Sequence, residues 1–168
     1  KNWNILKEDL PMPIMVLKRN QFNHNLKTFA EYLKKNNLSI APHGKTTMSP
    51  QIFSQQLDSG AWGITAGAIN QIQVMYKYGV KKILLANQLL GKSHLKTISN
   101  YINNDSNFSF YCFIDSIDQF KNIEHNLKGV ELINPINLLP EIGAKNGRTG
   151  IRSKKDFLEL VEKIAKNK

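Results

Sequence analysis

Cysteine is almost missing from this chain. Cys112 stands alone, so no internal disulfide can form, and its place in the apolar run 108–114 reads as a buried structural thiol. Arginine is nearly as scarce, with three residues against an abundance of lysine. No apolar run approaches the length of a membrane span and no charged, apolar, then small-residue signal segment opens the chain, which is read as soluble and cytoplasmic. No Gly-x-Gly-x-x-Gly fingerprint or P-loop follows any predicted strand, which argues against a dinucleotide or nucleoside triphosphate site. His24, His43, His94 and His125 are scattered, and no Cys-His pair has zinc-ligand spacing, so no metal site is expected within the chain.

The formal charge of +10 invites a nucleic-acid reading, since clustered Lys and Arg supply the attraction to phosphates. That clustering is absent. The lysines spread over every predicted helix and turn, with pairs only at Lys34-Lys35, Lys81-Lys82 and Lys154-Lys155, and no nucleic-acid partner is expected. Two of the three arginines, Arg148 and Arg152, share one segment, which in a lysine-rich chain implies a need for the planar guanidinium. At 168 residues and 41% hydrophobic content, the chain is long enough for one domain with a substantial core. It begins at Lys1 and not at Met, so the start is expected to be processed, trimmed or a fragment edge.

What is present is organised around Ile40-Ala41-Pro42-His43-Gly44-Lys45-Thr46-Thr47-Met48-Ser49-Pro50. A short apolar strand, Leu38 to Pro42, runs into a glycine-flanked lysine and then into a helix with Ser49 as N-cap and Pro50 as its first residue. A lysine just past a strand end points into the crevice where α/β sheets keep their ligands. Gly44 allows close backbone approach and His43 crowds the amine; a buried lysine beside a potential cation loses its proton more easily and can attack a carbonyl carbon.

The rest of the chain alternates. Residues 13–17 read as a short strand, and from Gln21 a helix carries Phe22, Leu26, Phe29 and Leu33 on one stripe up to Asn36-Asn37. Further strands are predicted at 61–65, 82–86 and 108–114, with one or two broken pieces within 130–142. Between them lie helices carrying Ile52, Phe53 and Leu57; Ile69, Ile72, Met75 and Tyr76; Leu95, Ile98 and Ile102; and Ile117, Phe120 and Ile123. Gly79 ends the second of these, Asp115-Ser116 caps the last, and Ser153 with Asp156 forms a capping-box-like start to a final helix. The fold class is α/β with a parallel sheet; a doubly wound sheet and a β/α barrel both satisfy the spacing, and the missing fingerprints favour the barrel. In a parallel barrel the polar residues after the strands share one mouth: His43, Lys45, Thr65, Asn87, Gln88, Asp115 and Arg148.

Four strings then stand out in order: Pro42-His43-Gly44-Lys45-Thr46, Gly60-Ala61-Trp62-Gly63-Ile64-Thr65, Ile83-Leu84-Leu85-Ala86-Asn87-Gln88 and Gly147-Arg148-Thr149-Gly150-Ile151-Arg152. Together they resemble the fold-type III pyridoxal-phosphate enzymes of the D-serine dehydratase and D-threonine aldolase kind, which share the alanine-racemase-type N-terminal barrel. The likeness runs from Asp9-Leu10-Pro11 onward and is nearest the bacterial D-serine deaminase-like, amino-acid deaminase branch. It implies that Lys45 is the lysine bonded to pyridoxal 5'-phosphate and one of the α-proton shuttles. Arg148 would hold the cofactor's phenolic oxygen or the substrate carboxylate, His43 would pack beside the bonded lysine, and Asn87 and Gln88 would line the mouth.

The same resemblance assigns residues 1–18 to a companion β-domain and residues 19–168 to the N-terminal part of the barrel, an incomplete TIM-type barrel with about five of eight strands. The other strands, the main phosphate loops and the C-terminal β-domain with its zinc ligands would lie outside the chain. The chain alone is thus expected to hold the lysine without a working site, and the full-length protein to form a homodimer. The reaction implied for the parent is dehydration and deamination of a D-β-hydroxy amino acid such as D-serine to a 2-oxo acid and ammonia. The alternatives are retro-aldol cleavage of D-threonine-like substrates and a non-catalytic pyridoxal-phosphate carrier.

Overall fold

The computed structural model describes residues 3–166. They form two units, one ending at Leu38 and one starting at Ser39. In the first unit a 3-10 turn, Ile5–Lys7, is closed by Asn4, whose side chain accepts from the Leu6 N–H. Residues 14–18 belong to no strand, so the strand predicted at 13–17 is not formed. Helix α1 (Arg19–Lys35) starts slightly before the predicted Gln21, and none of its residues is buried. Phe22, Leu26 and Leu33 of its apolar stripe are half-buried, whereas Phe29 is exposed.

The second unit alternates helix and strand: α2 (Pro50–Asp58), β1 (Ile64–Ala66), α3 (Ile69–Lys77), β2 (Lys82–Gln88), α4 (Lys92–Asn104), β3 (Ser109–Ile114), α5 (Ile117–Leu127), β4 (Ile136–Pro140) and α6 (Lys154–Ala165). The four strands are all parallel and pair in sequence order, β1-β2-β3-β4. Ile64, Ala66, Ile83, Leu85, Phe110 and Cys112 form one core with Phe53, Ile69, Ile72, Met75, Leu95, Ile98, Ile102 and Ile123 from the helices. Burying each such side chain contributes roughly 1.5–3 kcal/mol. Ile114 packs with Phe120, Ile151 and Leu160 in a second cluster on the same sheet face.

Sequential strand order with the helices on one face is a barrel wall; a doubly wound sheet reverses its order and places helices on both faces. The opposite face, with Leu84, Ala86, Tyr111 and Phe113, is half-buried. The continuous apolar run of β2 is therefore covered fully on one side only.

The predicted strand ending at Pro42 is reduced to a single bridge, His43 to Thr65. Trp62 N–H donates to the Ile40 carbonyl at 2.8 Å and Thr65 N–H to the Pro42 carbonyl at 2.9 Å, so the segment runs beside and parallel to β1. Pro42 has no N–H to return, and the ladder cannot continue through it. Five lengths of chain thus build the wall, four of them strands. Among the described residues no helix is long and apolar enough to cross a membrane.

Candidate active site

Lys45 lies in a 3-10 turn, Gly44–Thr46, just beyond the segment that borders β1. The turn sits tightly on the core. A Cβ on Gly44 would meet Met75 Cε at 2.6 Å and Phe53 Cε1 at 2.8 Å, so only glycine lets the backbone approach this closely. Lys45 itself is exposed, in contrast to the burial expected from its neighbours. Its amine has no hydrogen-bond or ion-pair partner among the described residues. Lys45 Cδ and His43 Cε1 converge over Gly67, lying 3.6 Å and 3.8 Å from where a Cβ there would be. His43 is also exposed; partial desolvation, then the neighbouring Lys45 charge, lower its pKa below the usual imidazole value, while a hydrogen bond to the Thr65 backbone works the other way.

Gly67, just past β1, donates its N–H to Gln71 Oε1 at 2.7 Å and accepts a long 3.4 Å contact from Asn87 Nδ2. Thr65, expected at the mouth, is instead buried within β1, its hydroxyl donating to the Ala41 carbonyl at 2.7 Å. Asn87 and Gln88 are the last residues of β2, which runs on past the predicted end at Ala86. The register slips there: Leu85 pairs with Cys112 but Gln88 with Phe113, so Ala86 and Asn87 bulge. A bulge at a barrel rim re-aims side chains. Here Asn87 turns back to accept from the Gln88 N–H, and Gln88 Nε2 reaches to the end of neighbouring β3 to donate to Asp115 Oδ2 at 2.9 Å.

Arg148 lies in the loop that follows β4, the fifth length of chain in the wall. It is exposed and has no hydrogen-bond or ion-pair partner among the described residues. The loop around it is tightly braced. Arg152 donates to the carbonyls of Thr149 at 2.7 Å and Gly147 at 2.6 Å, and also to that of Gly150. A planar fork can serve several carbonyls at once, which accounts for arginine here in a chain that otherwise prefers lysine. Thr149 Oγ1 donates to Glu141 Oε1 at 2.8 Å, Glu141 N–H donates to the Ile114 carbonyl, and Gly150 N–H donates to Asp115 Oδ2 at 3.0 Å.

All five predicted site residues therefore fall at the C-terminal edge of one parallel sheet. The structure brings His43 and Lys45 into mutual range and sets Asn87 beside Gly67, whereas Arg148 is linked to them only through the chain Gln88, Asp115, Gly150. Gly67, Gln71 and Glu141 carry no local signature that would single them out, being ordinary residues whose partners are fixed by the fold. Among the described residues no three His, Cys, Asp or Glu side chains gather in a way that would hold a metal.

This architecture, an incomplete parallel β/α barrel with its polar residues on the strands' C-terminal edge, is one seen in solved enzymes. D-threonine aldolase from Filomicrobium marinum superposes with a TM-score of 0.84 over 94% of this chain and 41% of its own, at 24% identity. D-threo-3-hydroxyaspartate dehydratase from Delftia sp. HT23 superposes with a TM-score of 0.74 over 88% of this chain and 38% of its own, at 19% identity. In sequence, the D-threonine aldolase of Arthrobacter sp. is 23% identical over 155 residues, 89% of this chain, so the chain spans 38% of that relative's length. No protein-family model matches.

Proposed function

We propose that this chain is the lysine-bearing part of a pyridoxal-phosphate-dependent lyase acting on D-β-hydroxy amino acids. The observation that carries the reading is the exposed Lys45, its Cδ over Gly67, on the same sheet edge as Arg148, with neither side chain's charged end partnered among the described residues. The residues fit the group: Lys45 would bond its aldehyde, His43 would flank that bond, Arg148 would meet an anionic oxygen, and Asn87 and Gln88 would line the opening. When bound, the cofactor supplies an electron sink for the bond broken at the amino acid's α-carbon.

The chain's own part is chemical placement. Lys45 presents a nucleophilic nitrogen and, once free, a base or acid near the α-carbon. Partial burial and the Lys45 charge lower the His43 pKa, which favours the neutral ring beside the amine over a second cation. We read the parent reaction as loss of the β-hydroxyl from D-serine, giving pyruvate and ammonia. Retro-aldol cleavage of D-threonine to glycine and acetaldehyde is the second reading, favoured by the higher TM-score of the aldolase and by the aldolase relative. Zinc ligands, where the parent uses zinc, would come from residues outside this chain.

Two measurements test this. Adding pyridoxal phosphate, reducing with borohydride and mapping peptides is expected to place the adduct on Lys45 and to find none there in Lys45→Ala; an equal yield spread over other lysines removes Lys45 from the scheme. A protein carrying this chain together with the segments its relatives have is then assayed for pyruvate from D-serine and for acetaldehyde from D-threonine. Turnover of neither sinks the lyase reading.

A further inference from the structure

We propose that Asp115 is a positioning residue that holds the Arg148 loop over the sheet edge where Lys45 stands, an assignment that rests on the reading of Lys45 and Arg148 above. The geometry is a two-sided grip on one oxygen. Asp115 Oδ2 accepts from Gln88 Nε2 at 2.9 Å, at the end of β2, and from the Gly150 backbone N–H at 3.0 Å, in the loop after β4. Its own main chain is fixed from below: Asp115 N–H donates to Gln119 Oε1 at 3.2 Å, Gln119 Nε2 donates to the Phe113 carbonyl at 3.0 Å, and Gln119 is 5% exposed. The carboxylate thus joins the end of β2 to the loop that follows β4, a strand that β2 does not neighbour in the sheet.

The loop it holds is braced from within. Arg152 gathers the carbonyls of Gly147, Thr149 and Gly150. Gly150, with φ +91°, packs so closely on Gly143 that a Cβ would lie 2.5 Å from its nitrogen. Arg148 has no tie of its own among the described residues, so the point from which its side chain reaches out is set by this braced backbone. The loop's base is joined to β3 through Glu141 N–H and the Ile114 carbonyl. Thr149 Oγ1 and the Ile151 N–H tie the loop back to Glu141, and Asp115, through Gly150, supplies the tie that joins it to the ends of β2 and β3. A carboxylate serves because a charged acceptor binds two donors more strongly than a neutral one.

The test uses Asp115→Ala, Asp115→Asn and Arg148→Ala, alone and combined. In the chain without ligand, amide hydrogen exchange at Gly150 is expected to quicken about tenfold in Asp115→Ala, the usual consequence of losing a hydrogen bond to a charged group. Asp115→Asn keeps one acceptor of the same length and is expected to restore most of the protection. With pyridoxal phosphate as the probe, followed by absorbance, Asp115→Ala is expected to weaken binding about as much as Arg148→Ala, and the double variant no more than either alone. Unchanged exchange at Gly150, or losses that add in the double variant, overturns the proposal. The binding arm uses the protein that carries this chain together with the segments its relatives have; should that protein fail to bind pyridoxal phosphate, the cofactor reading falls and the exchange result alone decides whether Asp115 is the tether. If Asp115→Ala does not fold, Asp115→Asn and Gln88→Ala carry the same comparison, with Gln88→Ala expected to quicken Gly150 exchange less because the Gly150 bond itself survives.

Discussion

At the scale of single residues, the most exact forecast concerns His43. Partial burial and the positive charge of Lys45 both disfavour the imidazolium, so the folded ring gives up its proton below the ordinary 6.5. The unfolded chain then binds the proton more readily than the folded one in the window between the folded value and 6.5. His43's contribution to stability is complete above 6.5 and is lost as pH falls through that window. The ring C–H resonance in a proton NMR titration is expected to show a midpoint below 6.5, and Lys45→Met to move it part of the way back, burial remaining. A midpoint at or above 6.5 would separate the two side chains. His43 and Lys45 were readable in sequence because they sit within three residues of each other between a proline and a helix start. The Asp115 grip was not, because its partners lie 27 and 35 positions away and only the fold brings them in. The lone thiol was readable as well: Cys112 is buried, and burial pushes its pKa up to about 12.

At the scale of elements, three serines head helices and the sequence treats them alike. The structure does not. Ser116 accepts from the Gln119 N–H at 3.2 Å and Ser153 from the Asp156 N–H at 3.4 Å, whereas the Ser49 hydroxyl donates to Gln51 Oε1 and caps nothing. Pro50 explains why α2 starts there regardless, since its fixed φ opens a helix without a side-chain cap. Ser116→Ala is therefore expected to cost about 1 kcal/mol in urea unfolding, and Ser49→Ala less than about 0.5 kcal/mol. Equal losses would mean that residue type at the helix start, and not the hydrogen bond, sets the cost. The same contrast explains the missing strand before Lys45: apolar character was there, but Pro42 removed the donor that a ladder needs. Element existence follows from periodicity, while element identity at an edge follows from a single backbone N–H.

At the scale of the molecule, the sheet treats its two faces differently, and adjacent residues of one strand report on each. Ile83 is 0% exposed and packs among the helices; Leu84, next in sequence, faces the other way and is half-buried. Hydrophobicity reads the two as equivalent, because a barrel strand is apolar on both sides and a sequence does not say how much of each side its own chain covers. The physical consequence is a difference in cavity cost. Ile83→Ala removes methylenes from a packed interior and is expected to destabilise by about 2–5 kcal/mol, whereas Leu84→Ala removes surface that already meets solvent and is expected to cost less than about half as much. Urea unfolding of the two variants measures the difference directly. Equal costs would require the face bearing Leu84, Tyr111 and Phe113 to be packed as tightly as the helical side, and the barrel wall would then have to be closed by contacts that the described residues do not make.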